Sequence, residues 1–315
     1  RGPSSSHTMG PWFAAKRIKT KYPQANFYDI TLFNSLALTG EGHLTYDVLK
    51  DTLAPHKINF NSKIDYHLHP NALIFKVYKD DILLEEINVK SIGGGEIIFN
   101  DELIETPKIY PHNNFHDIKE HCLKNSISLY DYVKAVEGND IDNFLLDIWK
   151  QMQATILNGL SKTGFLPGEL KVSRRALELM KDVENETEAY SENRLVSAYA
   201  FAVNEENASG GIVVTAPTCG ASGTLPAVLY YFFKTKNLSD QQIIEALAIA
   251  GLIGNIIKHN ATISGAVGGC QAEVGSACSM TAAAYSSLNN STIDQIEYAA
   301  EIAMEHHLGL TCDPI

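Results

Sequence analysis

The stretch Asn71-Ala-Leu-Ile-Phe-Lys-Val-Tyr-Lys-Asp-Asp-Ile-Leu-Leu-Glu-Glu-Ile-Asn-Val89 reads as two strands and the turn between them. Asn71 to Tyr78 alternates well enough for a half-buried strand, Lys79-Asp-Asp81 supplies the turn, and Ile82 to Val89 returns as the partner. The same texture continues outward. Upstream, Phe27-Tyr-Asp-Ile-Thr-Leu-Phe33 has the β-branched and aromatic density of a strand, and Met9 to Thr20 reads as a helix with Pro11 in its first turn. Downstream, Ser91-Ile-Gly-Gly-Gly95 precedes a short strand at Ile97-Ile-Phe99. A glycine triplet there suits a bulge or a close backbone approach.

From about Phe115 the strands stop. Apolar residues at helical spacing predict helices over Phe144–Asn158, Arg174–Val183, Arg194–Val203, Gln241–Lys258 and Ile293–His306. Tyr110-Pro-His-Asn-Asn114, polar and carrying a proline, separates the two textures. The expectation is an α+β N-terminal domain, residues 1–113, followed by an all-α domain, residues 114–315.

Composition narrows the partners. The 315 residues are 45% hydrophobic and 20% charged, as in a globular protein, with a net charge of -12. Such a surface repels phosphate backbones and anionic lipid, so neither nucleic acid nor membrane is an expected partner. The most apolar stretch, Ala246 to Ile257, is shorter than a bilayer requires, and no signal peptide is read at the start. These features place the protein in the cytoplasm. An odd count of five cysteines argues for free thiols rather than a disulfide framework.

The chemistry concentrates in two runs of small and hydroxyl residues: Asn204-Glu-Glu-Asn-Ala-Ser-Gly-Gly-Ile-Val-Val-Thr-Ala-Pro-Thr-Cys-Gly-Ala-Ser-Gly223 and Ser264-Gly-Ala-Val-Gly-Gly-Cys-Gln-Ala-Glu-Val-Gly-Ser-Ala-Cys-Ser279. Small residues let backbone approach a ligand, and their amides can cradle anionic groups; equally, they let helices pack tightly. On one helix, Cys270 and Cys278 would lie ~12 Å apart along the axis, too far to share a small metal centre. No C-x-x-C pair occurs. A metal site must therefore draw thiolates from distant segments, with Cys270 and Cys312 as candidates and Cys278 and Cys122 as packing residues. Arg1-Gly-Pro-Ser-Ser-Ser-His-Thr-Met9 is, by composition alone, close to what a cleaved affinity tag leaves behind.

Longer motifs decide that last point. Pro3-Ser-Ser-Ser-His-Thr-Met-Gly-Pro11, Gly40-Glu-Gly-His-Leu-Thr45, His69-Pro-Asn71, Ser91-Ile-Gly-Gly-Gly95, Leu170-Lys-Val172, Val214-Thr-Ala-Pro-Thr218, Gly269-Cys-Gln-Ala-Glu-Val-Gly-Ser-Ala-Cys-Ser-Met280 and Glu305-His-His-Leu-Gly-Leu-Thr-Cys-Asp-Pro314 stand in order along nearly the whole chain. Together they resemble the iron–sulfur-dependent L-serine dehydratases. That resemblance implies an L-serine ammonia-lyase with a [4Fe–4S] cluster, and makes the Ser-Ser-Ser-His-Thr run part of the protein. It implies that Cys270 and Cys312 are cluster ligands, with the third ligand in a tail beyond Ile315 and Cys219 as a possible substitute. The helical half is then the catalytic domain, to which the first half supplies the base. His43 is favoured over His7 as that base. Ser4, Ser5, Ser6 and Thr8 are assigned to substrate binding, and Asn207, Thr215, Thr218 and Gly220 to the serine carboxylate and ammonium. His306 and His307 either orient Cys312 or cap a helix. The family implies a homodimer. Three rivals remain: a pyridoxal phosphate enzyme using Lys162 or Lys258, a zinc hydrolase using Cys270, Cys312 and a histidine, and a non-catalytic serine-binding regulatory protein.

Overall fold

The computed structural model describes residues 1–102, 109–168, 170–181, 183–263, 265–307 and 309, with backbone only at 265–267 and 270–271. The chain divides into two compact units, Arg1–Thr106 with Ser264–Val267, and Pro107–Ile263 with Gly268–Ile315.

The first unit is built on a five-stranded sheet in the order β2-β1-β3-β4-β5. Its strands are β1 (Phe27–Phe33), β2 (His56–Asn61), β3 (Ala72–Lys79), β4 (Ile82–Gly93) and β5 (Glu96–Phe99). The hairpin forms as read. Asp80 and Asp81 both have positive φ, 50° and 65°, the signature of the tight turn that suits twisted strands. Asn26 locks it by donating to the Asp80 carboxylate at 2.8 Å and accepting the Asp80 amide at 3.0 Å. Alternation turns Ile30 and Leu32 of β1, Leu73, Phe75 and Val77 of β3, and Ile87 and Val89 of β4 into one core. Helix α1 (Gly10–Lys21) closes that core with Ala14, Ala15 and Ile18. The β4 register shifts between Ser91 and Gly93, where the glycines stand.

Strand β2 was not read from the sequence, and it makes the sheet mixed. It pairs parallel to β1, so the chain must cross over between them. The crossover consists of α2 (Asn34–Thr39) and α3 (Thr45–Thr52), and the loop joining them carries His43. His56-Lys-Ile-Asn-Phe-Asn61 is a polar edge strand without an alternating burial pattern, so no period marks it.

The second unit is largely helical: α4 (Phe115–Asn125), α5 (Leu129–Glu137), α6 (Ile141–Leu160), α7 (Ala176–Leu179), α8 (Glu188–Ala208), α9 (Thr224–Lys236), α10 (Asp240–Asn260), α11 (Gly265–Leu288) and α12 (Ile293–Glu305). Capping boxes start α5 (Ser128, Asp131), α10 (Ser239, Gln242) and α12 (Thr292, Gln295). Helix α10 contains the apolar stretch that was expected to be too short for a bilayer. The whole helix, 21 residues, is long and apolar enough to cross one. It packs on α5 and α6 with more than half of its apolar window buried, so its all-round hydrophobicity belongs to a core helix.

One expectation is corrected here. Arg174–Val183 is not a full helix: among its described residues only Ala176–Leu179 is helical. The Arg175 and Ala176 amides are taken by the Glu205 carboxylate, and Ser173 pairs with Phe165 in an isolated bridge. That bridge departs from a purely helical second half. The run at 265–279 lies in α11, which breaks at Gly269 (φ 73°, ψ 171°).

Candidate active site

The Ser4–Thr8 segment is an integral part of the first unit. Ser5–Met9 forms a single π-helical turn, capped by Ser4, whose hydroxyl accepts the His7 amide at 3.1 Å. Ser5, Ser6, His7 and Thr8 are all buried. Side chains from elsewhere in the unit hold the turn. Ser91 donates to the Ser6 carbonyl at 2.7 Å, Thr45 to the His7 carbonyl at 2.6 Å, and Thr8 to the His43 carbonyl at 2.6 Å. Gly10 is required beneath it, because a Cβ there would fall 2.0 Å from the Ser91 hydroxyl. π-Helical turns are rare and concentrate at functional sites.

Two imidazoles meet at this turn with ring centroids 4.6 Å apart. Both His7 nitrogens are engaged, Nδ1 with the Ser6 hydroxyl at 2.9 Å and Nε2 with the Ser35 hydroxyl at 2.8 Å. Burial first, then the neighbouring His43, lowers its pKa to about 4, so His7 is neutral near pH 7. His43 differs. Its Nδ1 lies 2.8 Å from the Thr39 carbonyl, an acceptor only, so Nδ1 carries the proton. Its Nε2 is then a lone pair, with no hydrogen bond among the described residues, on a half-buried ring. Ser35 and Thr39, the partners of the two rings, line a cleft of about 400 Å³ with Asn34, Asp65 and Tyr66. Close by, the buried Asn71 side chain donates to the Ser91 carbonyl at 3.4 Å, and its Oδ1 has no partner among the described residues. Sequence reasoning gave no role to Ser35, Thr39 or Ser91. Their signal lay only in motif edges, because hydroxyls and carbonyls that serve a histidine carry no pattern of their own.

In the second unit, Asn207 is buried in the last turn of α8. Glu205 and Glu206, buried beside it, are neutralised locally. Arg174 bonds the Glu206 carboxylate at 3.3 Å and the Ser209 hydroxyl at 2.7 Å, and Lys162 meets Glu206 at 2.6 Å. Lys162, one of the two lysines considered for a pyridoxal phosphate enzyme, is thus committed to an ion pair. From Gly210 the chain runs irregularly through Thr215, half-buried, and Thr218, 1% exposed. The Thr218 hydroxyl has no partner among the described residues. Cys219 is fully buried, and its carbonyl accepts from Ser222 at 2.7 Å. Gly220 is exposed and lies against Glu273 of α11: a Cβ on it would sit 3.1 Å from the Glu273 carboxylate.

The cysteines separate. Cys270 lies on the backbone of α11 directly after the Gly269 break, on the same helix as Cys278. Cys312 lies outside the described residues. Cys122 is buried over the Ser128 carbonyl, and burial followed by Asp131 raises its thiol pKa; burial also raises that of Cys278. Neither has the setting of a thiolate ligand. His306 and His307 each place Nδ1 on a carbonyl of the last turn of α12, Ile302 at 2.8 Å and Ala303 at 2.6 Å, which is the capping arrangement.

The chain matches two family models in succession, the serine dehydratase beta chain over residues 1–54 and the serine dehydratase alpha chain over residues 62–315. Strand β2 occupies the interval, so both models contribute strands to the one sheet. It is 38% identical to L-serine dehydratase of Haemophilus influenzae, and 35% identical to both L-serine dehydratase 2 and L-serine dehydratase 1 of Escherichia coli K12. Each match covers 100% of this chain and 82% of the relative. The Haemophilus alignment runs over 373 positions against 315 residues, so that relative carries segments with no counterpart here. With the motifs in the same order and both halves matched, the chain belongs to the iron–sulfur L-serine dehydratase family.

Proposed function

We propose that the protein is an L-serine ammonia-lyase that converts L-serine to pyruvate and ammonia, with His43 as the base. The observation that carries the assignment of the base is the tautomer of His43. Its Nδ1–H is tied to the Thr39 carbonyl, which leaves Nε2 as a proton acceptor beside the Ser4–Thr8 turn. His7 has no free nitrogen and holds the ring stack in place.

Loss of water from serine requires removal of a weakly acidic α proton and departure of a poor leaving group. His43 Nε2 takes the α proton. The C–O bond breaks and the β-hydroxyl takes up one proton to leave as water, balanced overall by the α proton that His43 has accepted; the resulting enamine tautomerises to an imine that water hydrolyses to pyruvate and ammonia. Ser4, Ser5, Ser6 and Thr8 form the substrate-binding segment. Within it, the Ser6 hydroxyl bonds the His7 ring, the Thr8 hydroxyl bonds the His43 backbone carbonyl and the Ser4 hydroxyl caps the His7 amide, so these three also fix the turn that carries the imidazoles. Asn207, Thr215, Thr218 and Gly220 complete the recognition of the amino acid.

The donor chemistry of the chain suits a [4Fe–4S] cluster at one corner. Cys270 follows a helix break at which Gly268 and Gly269 are exposed and the Gly269 Cβ position faces open space, whereas Cys122 and Cys278 are protonated packing thiols. Cys270 and Cys312 are the proposed ligands from this chain, and the bound cluster would supply a Lewis acid for the departing hydroxyl. We further place the enzyme in the cytoplasm, as a homodimer.

The test is product formation by protein purified without oxygen. Pyruvate and ammonia should appear in equal amounts from L-serine. Protein that is folded and iron-loaded yet yields neither would remove the assignment.

A further inference from the structure

We propose that the Ser35 hydroxyl is a donor to the substrate carboxylate; this rests on the serine ammonia-lyase reading and goes beyond it by assigning that group to a residue outside the Ser4–Thr8 turn. Ser35 stands in α2, half-buried on the wall of the cleft of about 400 Å³, and its hydroxyl lies 2.8 Å from His7 Nε2. Which of the two groups donates in that bond follows from the other side of the ring. Two hydroxyls face His7 Nδ1, Ser6 at 2.9 Å and Ser4 at 3.5 Å. The Ser6 hydroxyl is buried and bonds nothing else among the described residues. A buried hydroxyl proton needs an acceptor, so Ser6 donates and Nδ1 accepts. Burial and His43 keep His7 neutral near pH 7, so it carries a single proton, and that proton is on Nε2. Nε2–H therefore donates to Ser35, and the Ser35 proton has no acceptor among the described residues. Neighbours on the same wall are committed. Asn34 donates to the Asp65 and His69 carbonyls and accepts the Asp65 amide, and Thr39 donates to the Ser35 carbonyl. Ser6, His7 and Ser35 thus form a chain whose bonds all run one way, and such a chain polarises its last donor. Of the polar groups of serine, the ammonium offers only donors, and the charged carboxylate is the strongest acceptor.

The experiment compares two unreactive probes of the iron-loaded enzyme, L-alanine and L-alaninamide, which differ in the carboxylate. In the wild type, L-alanine should inhibit serine turnover at a concentration about ten-fold or more below that of L-alaninamide. Ser35→Ala should bring the two together and raise KM for L-serine about ten-fold, with a smaller change in kcat. A role confined to holding His7 would instead weaken both probes alike. Ser35→Cys, of similar volume but with a weak donor, should shift the preference in the same direction, and it carries the test if the alanine variant does not fold. Full preference for L-alanine in a folded Ser35 variant, equal weakening of both probes, or no preference in a wild type that turns over serine would overturn the assignment and leave the activity standing. A wild type that does not turn over serine would overturn the activity and the assignment together.

Discussion

His7 and His43 share a ring stack and a sequence neighbourhood of serines, threonines and glycines, yet their hydrogen bonds make them different chemical objects. His7 spends both nitrogens on hydroxyls and is held neutral, its pKa lowered to about 4 by burial and by His43. The unfolded chain binds this proton at about pH 6.5, so the stability it contributes is fully present above that value. It is lost as pH falls through about 4. The shift corresponds to an upper limit of about 3 kcal/mol. Unfolding midpoints in urea at pH 7.5 and pH 4.5 should therefore differ less for His7→Gln than for the wild type. An equal pH dependence in both would show that His7 is not the group responsible. The sequence favoured His43 over His7 by its motif alone and gave no tautomer for either, because tautomer and engagement depend on Ser35 and the Thr39 carbonyl, which come from the crossover between β1 and β2.

At the scale of elements, legibility followed periodicity. The hairpin, α1, α10 and α12 were read within a few residues because one face or one turn type repeats there. Strand β2 and the failed helix at Arg174–Val183 lacked that support: one is a polar edge, and the other is bent by Glu205 capturing two amides. Two predictions belong here. Asp81, at φ 65°, occupies a turn position that favours glycine, so Asp81→Gly should stabilise the first unit by roughly 0.5–1 kcal/mol, read from the urea midpoint. Arg174→Ala should cost about 3–5 kcal/mol by leaving Glu205 and Glu206 buried with a single half-exposed cation, Lys162, while Arg174→Lys should cost less. A loss below 1 kcal/mol for Arg174→Ala would mean that water, not Arg174, balances these carboxylates.

For the whole molecule, the order of motifs carried the family, and the matches bear that out across both halves. The roles of individual residues were less legible, because a ligand set is a property of space rather than of spacing. Anaerobically purified protein should contain iron and acid-labile sulfide; Cys270→Ser should abolish both, while Cys278→Ser, at a packing thiol, should retain them. The most direct measurement is kcat for pyruvate formation from L-serine in iron-loaded wild type, His43→Asn and His7→Asn. The account predicts a fall of about 10²–10⁴-fold in His43→Asn, with iron content unchanged, and a smaller loss in His7→Asn. Full activity in His43→Asn, or a larger loss in His7→Asn, would contradict the claim that His43 Nε2 is the base.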